Sequence, residues 1–485
     1  MDWKPNKEDS LPLYRQITDY FKNKIGNGEW PVGTTIPAQR DLARYFGVNR
    51  STIATAIDEL IAEGLLEGRV GSGTRVINNT WVLLASLPAP DWNSYVAAGV
   101  HQPNLATIQA INQAEFSPGI IRLGTGELSP ELYPAQLMQN VLSSLAKRIN
   151  SLGYEEPKGL PALRQALSTH LKIYGIEASP SSILIVSGAL QALQLISWGL
   201  LNPGSAVMLE KPSYLFSLNL FQSAGMHFHG LPLDSEGIRP DQLAYHTGQG
   251  KATLLYTIPC FHNPTGTLMS LERREQLLAL CKRNQLPVLE DDVYRDLWLD
   301  TPPPAPLKSL DRNGLVIYIG SLSKTLSPGL RIGWVVGPET VINRLADIKM
   351  QNDYGSSSLS QWAAAEWLSS GLYAQHLANI RKSLVTRRNI CNQILQEHFA
   401  DIATWTLPAG GFYIWLNLTK PVSLQKLFKA ALKENLLINP GNMYDRLSNQ
   451  QIRISYSYAS LDELHSGLRR LSNIIRQMQG PTGVP

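Results

Sequence analysis

A chain of 485 residues is too long for one small core, so two or three domains are expected. Hydrophobic residues at 44% and charged residues at 17% describe a globular protein and exclude a disordered one. A net charge of +4 selects no class of partner by itself. The three cysteines form no C-x-x-C pair, which argues against a disulfide framework or a cysteine zinc site and suits a reducing cytosol. The N-terminus, MDWKPNKEDS, lacks the apolar core of a signal peptide. The richest apolar region, Ile183 to Leu201, is broken by Ser, Gly and Gln, so no membrane span is expected. The nine histidines are scattered and no G-x-x-x-x-G-K-[ST] run occurs, so neither a metal centre nor a P-loop is expected.

In the first 78 residues, Leu13, Ile17, Phe21 and Ile25 recur every four positions and predict an apolar helix face after Pro12. A turn-rich break, Gly26 to Gly33, follows. Pro37 is placed to open a second helix with Leu42, Ala43 and Phe46 on its buried side. Gly47 ends it, and Asn49 is placed to cap a third helix from Arg50. Ile53, Ala56, Ile57, Leu60 and Ile61 form the inner stripe of that third helix, leaving Arg50, Ser51, Thr52 and Thr55 outside. Two short helices around a glycine-containing turn are a helix-turn-helix, whose second helix offers its first polar side chains to base edges. Two β-prone runs around glycines, Leu65 to Ile77, predict a wing hairpin. Bulk charge plays no part here: this segment holds four lysines and six arginines against five aspartates and five glutamates.

From Asn78 to Asp91 the chain mixes Asn, Ser, Ala and Pro without a sustained period, and Pro88 and Pro90 predict a partly extended spacer. The boundaries expected are 1–78 for the first domain, 79–115 for a linker and lead-in segment, and 116–485 for a large second domain. Beyond Ile120, β-branched runs alternate with helical stretches: Ile183–Val186, Ala206–Leu209, Thr253–Tyr256, Leu286–Glu290 and Leu315–Ile319. That alternation predicts an open α/β sheet with ligands gathered at strand ends.

Several strand ends carry chemistry. Ser187-Gly188-Ala189 follows a strand and opens a helix, a phosphate site made from backbone N–H groups. In Glu290-Asp291-Asp292-Val293-Tyr294, adjacent carboxylates end an apolar strand and call for a cationic partner. The segment GSLSKTLSPGLRIGW supplies Ser321, Ser323, Lys324 and Arg331. Together these match the demands of a pyridoxal 5′-phosphate (PLP) site. An amine is needed for a Schiff base, a carboxylate for the pyridine nitrogen, and hydroxyls, amides and an arginine for the phosphate.

Two resemblances sharpen this reading. The run LPLYRQI … IPAQRDLARYFGVNRSTIATAIDELIAEGLLEGRVGSGTRV resembles a GntR-type winged helix-turn-helix, an α+β domain. That resemblance assigns DNA contacts to Arg40, Asn49, Arg50, Thr52 and the wing tip near Gly71, with Gln39 standing where an acidic residue is usual. The rest of the chain resembles a fold-type I PLP-dependent aminotransferase, through GYEEPKGLPALR, VSGALQAL, HNPTG, EDDVY, SLSKTLSPGLRIGW and IRISYS. It implies an internal aldimine on Lys324 and a pairing of Asp291 with the pyridine nitrogen. Asn263 and Tyr294 would bond the ring hydroxyl oxygen, and Tyr214 would stack on the ring. Ser187, Gly188, Ala189, Ser321, Ser323 and Arg331 would surround the phosphate, with Leu190 standing where a polar residue is common. Tyr154 would reach the phosphate of a neighbouring subunit, and Arg453 would grip an effector carboxylate.

The combination resembles the MocR subfamily of GntR-type regulators. It implies a cytoplasmic, head-to-tail homodimer that binds a double-stranded DNA operator and senses an amino compound or PLP by aldimine exchange at Lys324. The alternative is an active aminotransferase carrying a DNA-binding appendage.

Overall fold

Both halves of the chain are built around apolar faces that the sequence pattern marks. The computed structural model describes residues 3–69, 73–79, 91–101, 103–247 and 253–479. It divides into two compact units, residues 1–99 and 100–485.

In the first unit, α1 (Leu13–Gly26), α2 (Gln39–Phe46) and α3 (Arg50–Ala62) precede the antiparallel pair β1 (Leu66–Arg69) and β2 (Gly73–Val76). Ile17, Phe21 and Ile25 of α1, Leu42 and Phe46 of α2, and Ile53, Ile57 and Leu60 of α3 share one core. Gly47 ends α2 in the left-handed conformation, φ 65°, which a glycine adopts without strain. Three expectations change. The second helix starts at Gln39, so Pro37 precedes it rather than opening it. Ile61 is 39% exposed and lies off the inner stripe. Asn49 occupies the N-cap position of α3 but its side chain makes no capping hydrogen bond. Gly71 lies outside the described residues. The lead-in segment holds two helices, α4 (Trp92–Ala98), capped by the Asp91 carboxylate, and α5 (Ala106–Ala114).

The second unit contains β3 (Ile121–Arg122), β4 (Ile183–Val186), β5 (Ala206–Lys211), β6 (His227–Asp234), β7 (Gly237–Ile238) and β8 (Leu254–Thr257). It continues with β9 (Val288–Asp291), β10 (Val316–Ser321), β11 (Gly333–Val336), β12 (Ala403–Thr404), β13 (Tyr413–Leu418), β14 (Leu436–Leu437), β15 (Asn439–Pro440) and β16 (Gln451–Ser455). An eight-stranded sheet runs in the order β4-β11-β10-β9-β8-β5-β6-β7. Its centre, from β10 to β6, is parallel, while β11 pairs antiparallel with both β10 and β4. Every residue of β4, β8, β9 and β10 is buried, as expected where helices cover both faces. A second, antiparallel sheet, β12-β13-β16-β15, carries Arg453 on β16. Parallel strands end on one edge of their sheet, so the residues that follow β4, β9 and β10 come together there.

Candidate functional site

Ser187 and Gly188 follow β4 and lead into the helix Ala189–Gly199. Gly188 has φ 85°, and a Cβ there would lie 2.7 Å from the Arg331 guanidinium. Arg331 lies close because it too is left-handed, φ 52°, and donates from Nη2 to the Ser187 carbonyl at 2.7 Å. The result is an open turn of backbone amides with a guanidinium beside it.

Asp291 closes β9 and is 4% exposed. Tyr256, on the neighbouring β8, donates to its Oδ2 at 2.8 Å, whereas Oδ1 is buried with no hydrogen-bond partner. Burial pushes this carboxyl up to about 6, offset in part by the Tyr256 hydrogen bond, a backbone hydrogen bond from Val293 and the Lys324 charge. Asp292 is different: it is ion-paired with Arg295 and faces away from the cavity that Asp291 lines. The two adjacent carboxylates thus separate: each keeps one buried oxygen without a hydrogen-bond partner, but Asp292 is neutralised by a protein cation while Asp291 lines the cavity.

Lys324 lies in the turn after β10 and donates from Nζ to the Gly126 carbonyl at 2.7 Å. Ser321 Oγ accepts from the Ser323 amide at 3.1 Å and faces the Ile332 carbonyl at 3.1 Å, leaving Ser323 as the less engaged hydroxyl. Asn263 accepts from Arg453 Nη1 at 2.8 Å and donates to the Tyr294 hydroxyl at 3.4 Å. Tyr294 in turn meets the Tyr413 hydroxyl at 3.0 Å. Arg453 is 5% exposed, donates to the Gly124 carbonyl at 2.6 Å, and sits over the Tyr413 and Tyr444 rings at 4.0 and 5.0 Å. Its Nε has no partner. Two aromatic faces stabilise a charge that burial alone would disfavour.

These groups line one cavity of about 310 Å³, in which Lys324, Asp291, Asn263, Tyr214, Tyr294, Arg331 and Arg453 converge. Ser321, Ser323 and Ala189 also line it, as does Leu190, which is 44% exposed. Ser187 stands just behind, its hydroxyl 3.0 Å from that of Ser356. Tyr154 is not part of the cavity: it is 81% exposed, and its ring meets that of Tyr354 at 4.9 Å. A larger groove of about 1150 Å³, walled by Trp298, Trp362 and Tyr373, presents no lysine and lacks the amine that a Schiff base requires. Among the described residues one cluster has metal-donor geometry, Glu397, His398 and His465, and none of the three lines the cavity.

Four contributors went unread in the sequence: Gly126, Tyr256, Tyr413 and the pair Thr325–Tyr373. Thr325 follows Lys324, is 2% exposed, and its hydroxyl lies 2.8 Å from that of Tyr373. The Tyr373 hydroxyl lies within 2.8 Å of both an Asp296 oxygen and the Thr325 hydroxyl, so its single proton serves one of the two at a time. No local motif marks such partners, since Tyr373 is 48 residues from Thr325.

In the first unit Arg40, Asn49 and Arg50 are exposed and Thr52 half-buried. Among the described residues neither Arg40 nor Arg50 forms an ion pair, whereas Arg44 lies 3.8 Å from Asp41. The N-terminal end of α3 therefore presents uncommitted donors, the arrangement that reads a major groove.

A DNA-reading helix-turn-helix joined to an aminotransferase-type core defines a class of transcriptional regulator. The chain matches the family model for bacterial regulatory proteins of the gntR family over residues 13–76 and that for aminotransferase class I and II over residues 118–471. It is 54% identical over 472 residues to the uncharacterized HTH-type transcriptional regulator YdfD of Bacillus subtilis, covering 97% of this chain and 98% of that one. It is 34% identical over 447 residues to the HTH-type transcriptional regulator NorG of Staphylococcus aureus, covering 91% and 100%. The chain belongs to the MocR arrangement of the GntR family and is a DNA-binding transcriptional regulator with an aminotransferase-like domain. Among solved structures, the Pyrococcus horikoshii kynurenine aminotransferase, complexed with PMP, superposes with a TM-score of 0.76 at 31% identity, over 81% of this chain and 99% of that one. The multiple substrate aminotransferase of Thermococcus profundus gives 0.75 at 28%, over 80% and 99%. The family is PLP-dependent.

Proposed function

We propose that this regulator binds PLP in the 310 Å³ cavity and senses a small amino compound there, changing its hold on operator DNA. One observation carries the reading: a lysine amine, a carboxylate with an orphan buried oxygen and a glycine–arginine phosphate cradle meet in one cavity. The orphan Asp291 Oδ1 calls for a cationic donor, and a protonated pyridine nitrogen is one.

When bound, PLP supplies an electrophilic carbon for reversible capture of primary amines and an electron-withdrawing ring. Lys324 would hold the cofactor through its amine, and the Gly126 carbonyl would keep the lysine ammonium in position whenever it is free. Asp291, braced by Tyr256, keeps the ring nitrogen protonated. Asn263 and Tyr294 bond the ring hydroxyl oxygen, and Tyr214 covers the ring. Ser187, Gly188, Ala189, Ser323 and Arg331 take the phosphate, with Ser321 orienting Ser323. Arg453 receives the effector carboxylate, releasing the Asn263 amide oxygen that it holds in its absence.

In a cytoplasmic homodimer the exposed Tyr154 reaches the partner's phosphate, and the segment 79–115 tethers the winged helix. Arg40, Asn49, Arg50 and Thr52 contact the operator, with the wing tip near Gly71. Effector binding shifts the balance between two arrangements of the large domains, which displaces the tethered DNA readers.

Borohydride treatment of PLP-loaded protein followed by peptide mass spectrometry tests the reading. The expected result is an adduct of cofactor mass on Lys324; an unmodified Lys324 would refute it. The same residues are equipped for transamination, and steady-state turnover of an amino acid with a keto acid at ordinary enzyme rates would favour an enzyme instead.

A further inference from the structure

The cavity's lining balances three cations against three carboxylates, and PLP and a carboxylate-bearing amine add net negative charge to it. Its charged lining is Lys324, Arg331 and Arg453 against Asp291, Glu115 and Glu127. Glu115 follows the C-terminal end of α5 and accepts a hydrogen bond from Thr125 Oγ1 at 3.0 Å. Among the described residues neither Glu115 nor Glu127 has a basic side chain within ion-pair distance. Both are half-buried.

The segment Gly124–Glu127 fixes where they stand. Arg453 holds the Gly124 carbonyl and Lys324 holds the Gly126 carbonyl. Thr125, which anchors Glu115, lies between those two attachment points, and Glu127 is the next residue beyond them. With about 3.8 Å between successive Cα atoms, Glu127 is attached one residue from the Lys324 contact, and the Glu115 carboxylate meets the side chain of the residue between the two contacts. The Nε of Arg453, on a side chain 95% removed from solvent, lacks a partner in the same cavity, which independently marks it as a ligand site.

Charge balance then selects the ligand. On the reading above, the ring nitrogen takes Asp291, the effector carboxylate takes Arg453, the phosphate dianion outweighs Arg331, and Lys324 stays on the Gly126 carbonyl as one ammonium against two glutamates. Glu115 and Glu127 share that one ammonium in a half-buried site that the effector also occupies, where an unpaired carboxylate is costly. We propose that the effector is an amino acid with a basic side chain, whose second cation is received by Glu115 and Glu127. Acidic effectors would be repelled by the same pair.

This inference rests on the PLP-sensor reading, and a spectral titration of the PLP-loaded full-length protein separates the two. L-Lysine and L-ornithine are compared with L-norleucine, which keeps the aliphatic chain but lacks the terminal ammonium, and with L-glutamate. The expected half-saturation for a basic amino acid is about tenfold lower than for norleucine, with glutamate weaker still. In Glu115→Gln/Glu127→Gln the basic-to-neutral ratio falls towards one. Norleucine or glutamate binding as tightly as lysine and ornithine would overturn the basic-effector assignment alone, and that comparison needs only the parent protein. A preference for lysine that survives in the double variant would remove the two glutamates from the assignment. Loss of the cofactor band itself, or a band that no amine moves, would overturn the sensor reading and this inference with it.

Discussion

The chain keeps its chemistry in two opposite environments. At the start of α3, Arg50 and Asn49 are exposed, and among the described residues their side chains make no ion pair or capping hydrogen bond. In the cavity, Asp291 and Arg453 are almost fully buried and each is tied to neighbours from distant strands. The difference teaches that the DNA-reading groups are separable from stability, whereas the sensing groups are part of it. A substitution at the first should change binding with the fold untouched, and one at the second should change both.

The largest effect that would sharpen this contrast is expected at Arg453. Arg453→Ala strands the Asn263 amide oxygen and the Gly124 carbonyl and removes the cation between two rings, at a cost of about 3 kcal/mol. Denaturant titration reads the loss, and an unchanged midpoint would break the contrast.

Asp291→Asn acts in the opposite direction on the cofactor-free protein. Burial raises this carboxyl from 3.8 to about 6, so the folded state holds its proton more tightly than the unfolded state does. The parent therefore loses stability as pH rises through that window, by about 3 kcal/mol in full, and the asparagine variant does not. Unfolding curves at several pH values should show the variant more stable above about pH 6 and level with the parent below about pH 4. The same variant should bind PLP far more weakly. A stability gap independent of pH would contradict the burial argument.

Arg50→Ala should weaken operator binding by about 1–3 kcal/mol while moving unfolding by no more than about 0.5 kcal/mol. Binding by the parent should fall steeply with salt, as phosphate contacts require, and fluorescence anisotropy at several ionic strengths measures both.

The smallest effect is expected at Tyr373. Tyr373→Phe leaves Thr325 and Asp296 without their shared hydroxyl, at about 1 kcal/mol, and loosens the turn that carries Lys324. A shift in the pH at which the cofactor's absorption band changes would report that loosening; an unmoved band would limit Tyr373 to a packing role.

What could be read from the sequence follows the same division. Lys324, Asp291 and Arg331 lie in short local runs at strand ends, and the structure gathers them in one cavity with Arg453. Tyr256 lies within a strand recognised from its apolar run, yet its pairing with Asp291 comes from the β8–β9 register, 35 residues away. Gly126 and Tyr413 lie in the runs LGTGELSPELYP and PAGGFYIW, which resemble the aminotransferase family, but no local spacing gives either residue its role. The antiparallel strand β11 has no separate signal in the sequence, since its run, Gly333–Val336, is short and continuous with the Lys324 segment. Ile61 was misplaced because a helical stripe loses its neighbours at the last turn, where α3 ends at Ala62.

The central claim is that covalent chemistry at Lys324 is read out on DNA. Its most direct test is anisotropy binding of the PLP-loaded full-length protein to a duplex it has selected from random sequence, with and without a basic amino acid. The parent should change its affinity or footprint on adding the amine. Lys324→Ala should bind the same duplex and show no change. A Lys324→Ala protein that still responds to the amine like the parent would contradict the account.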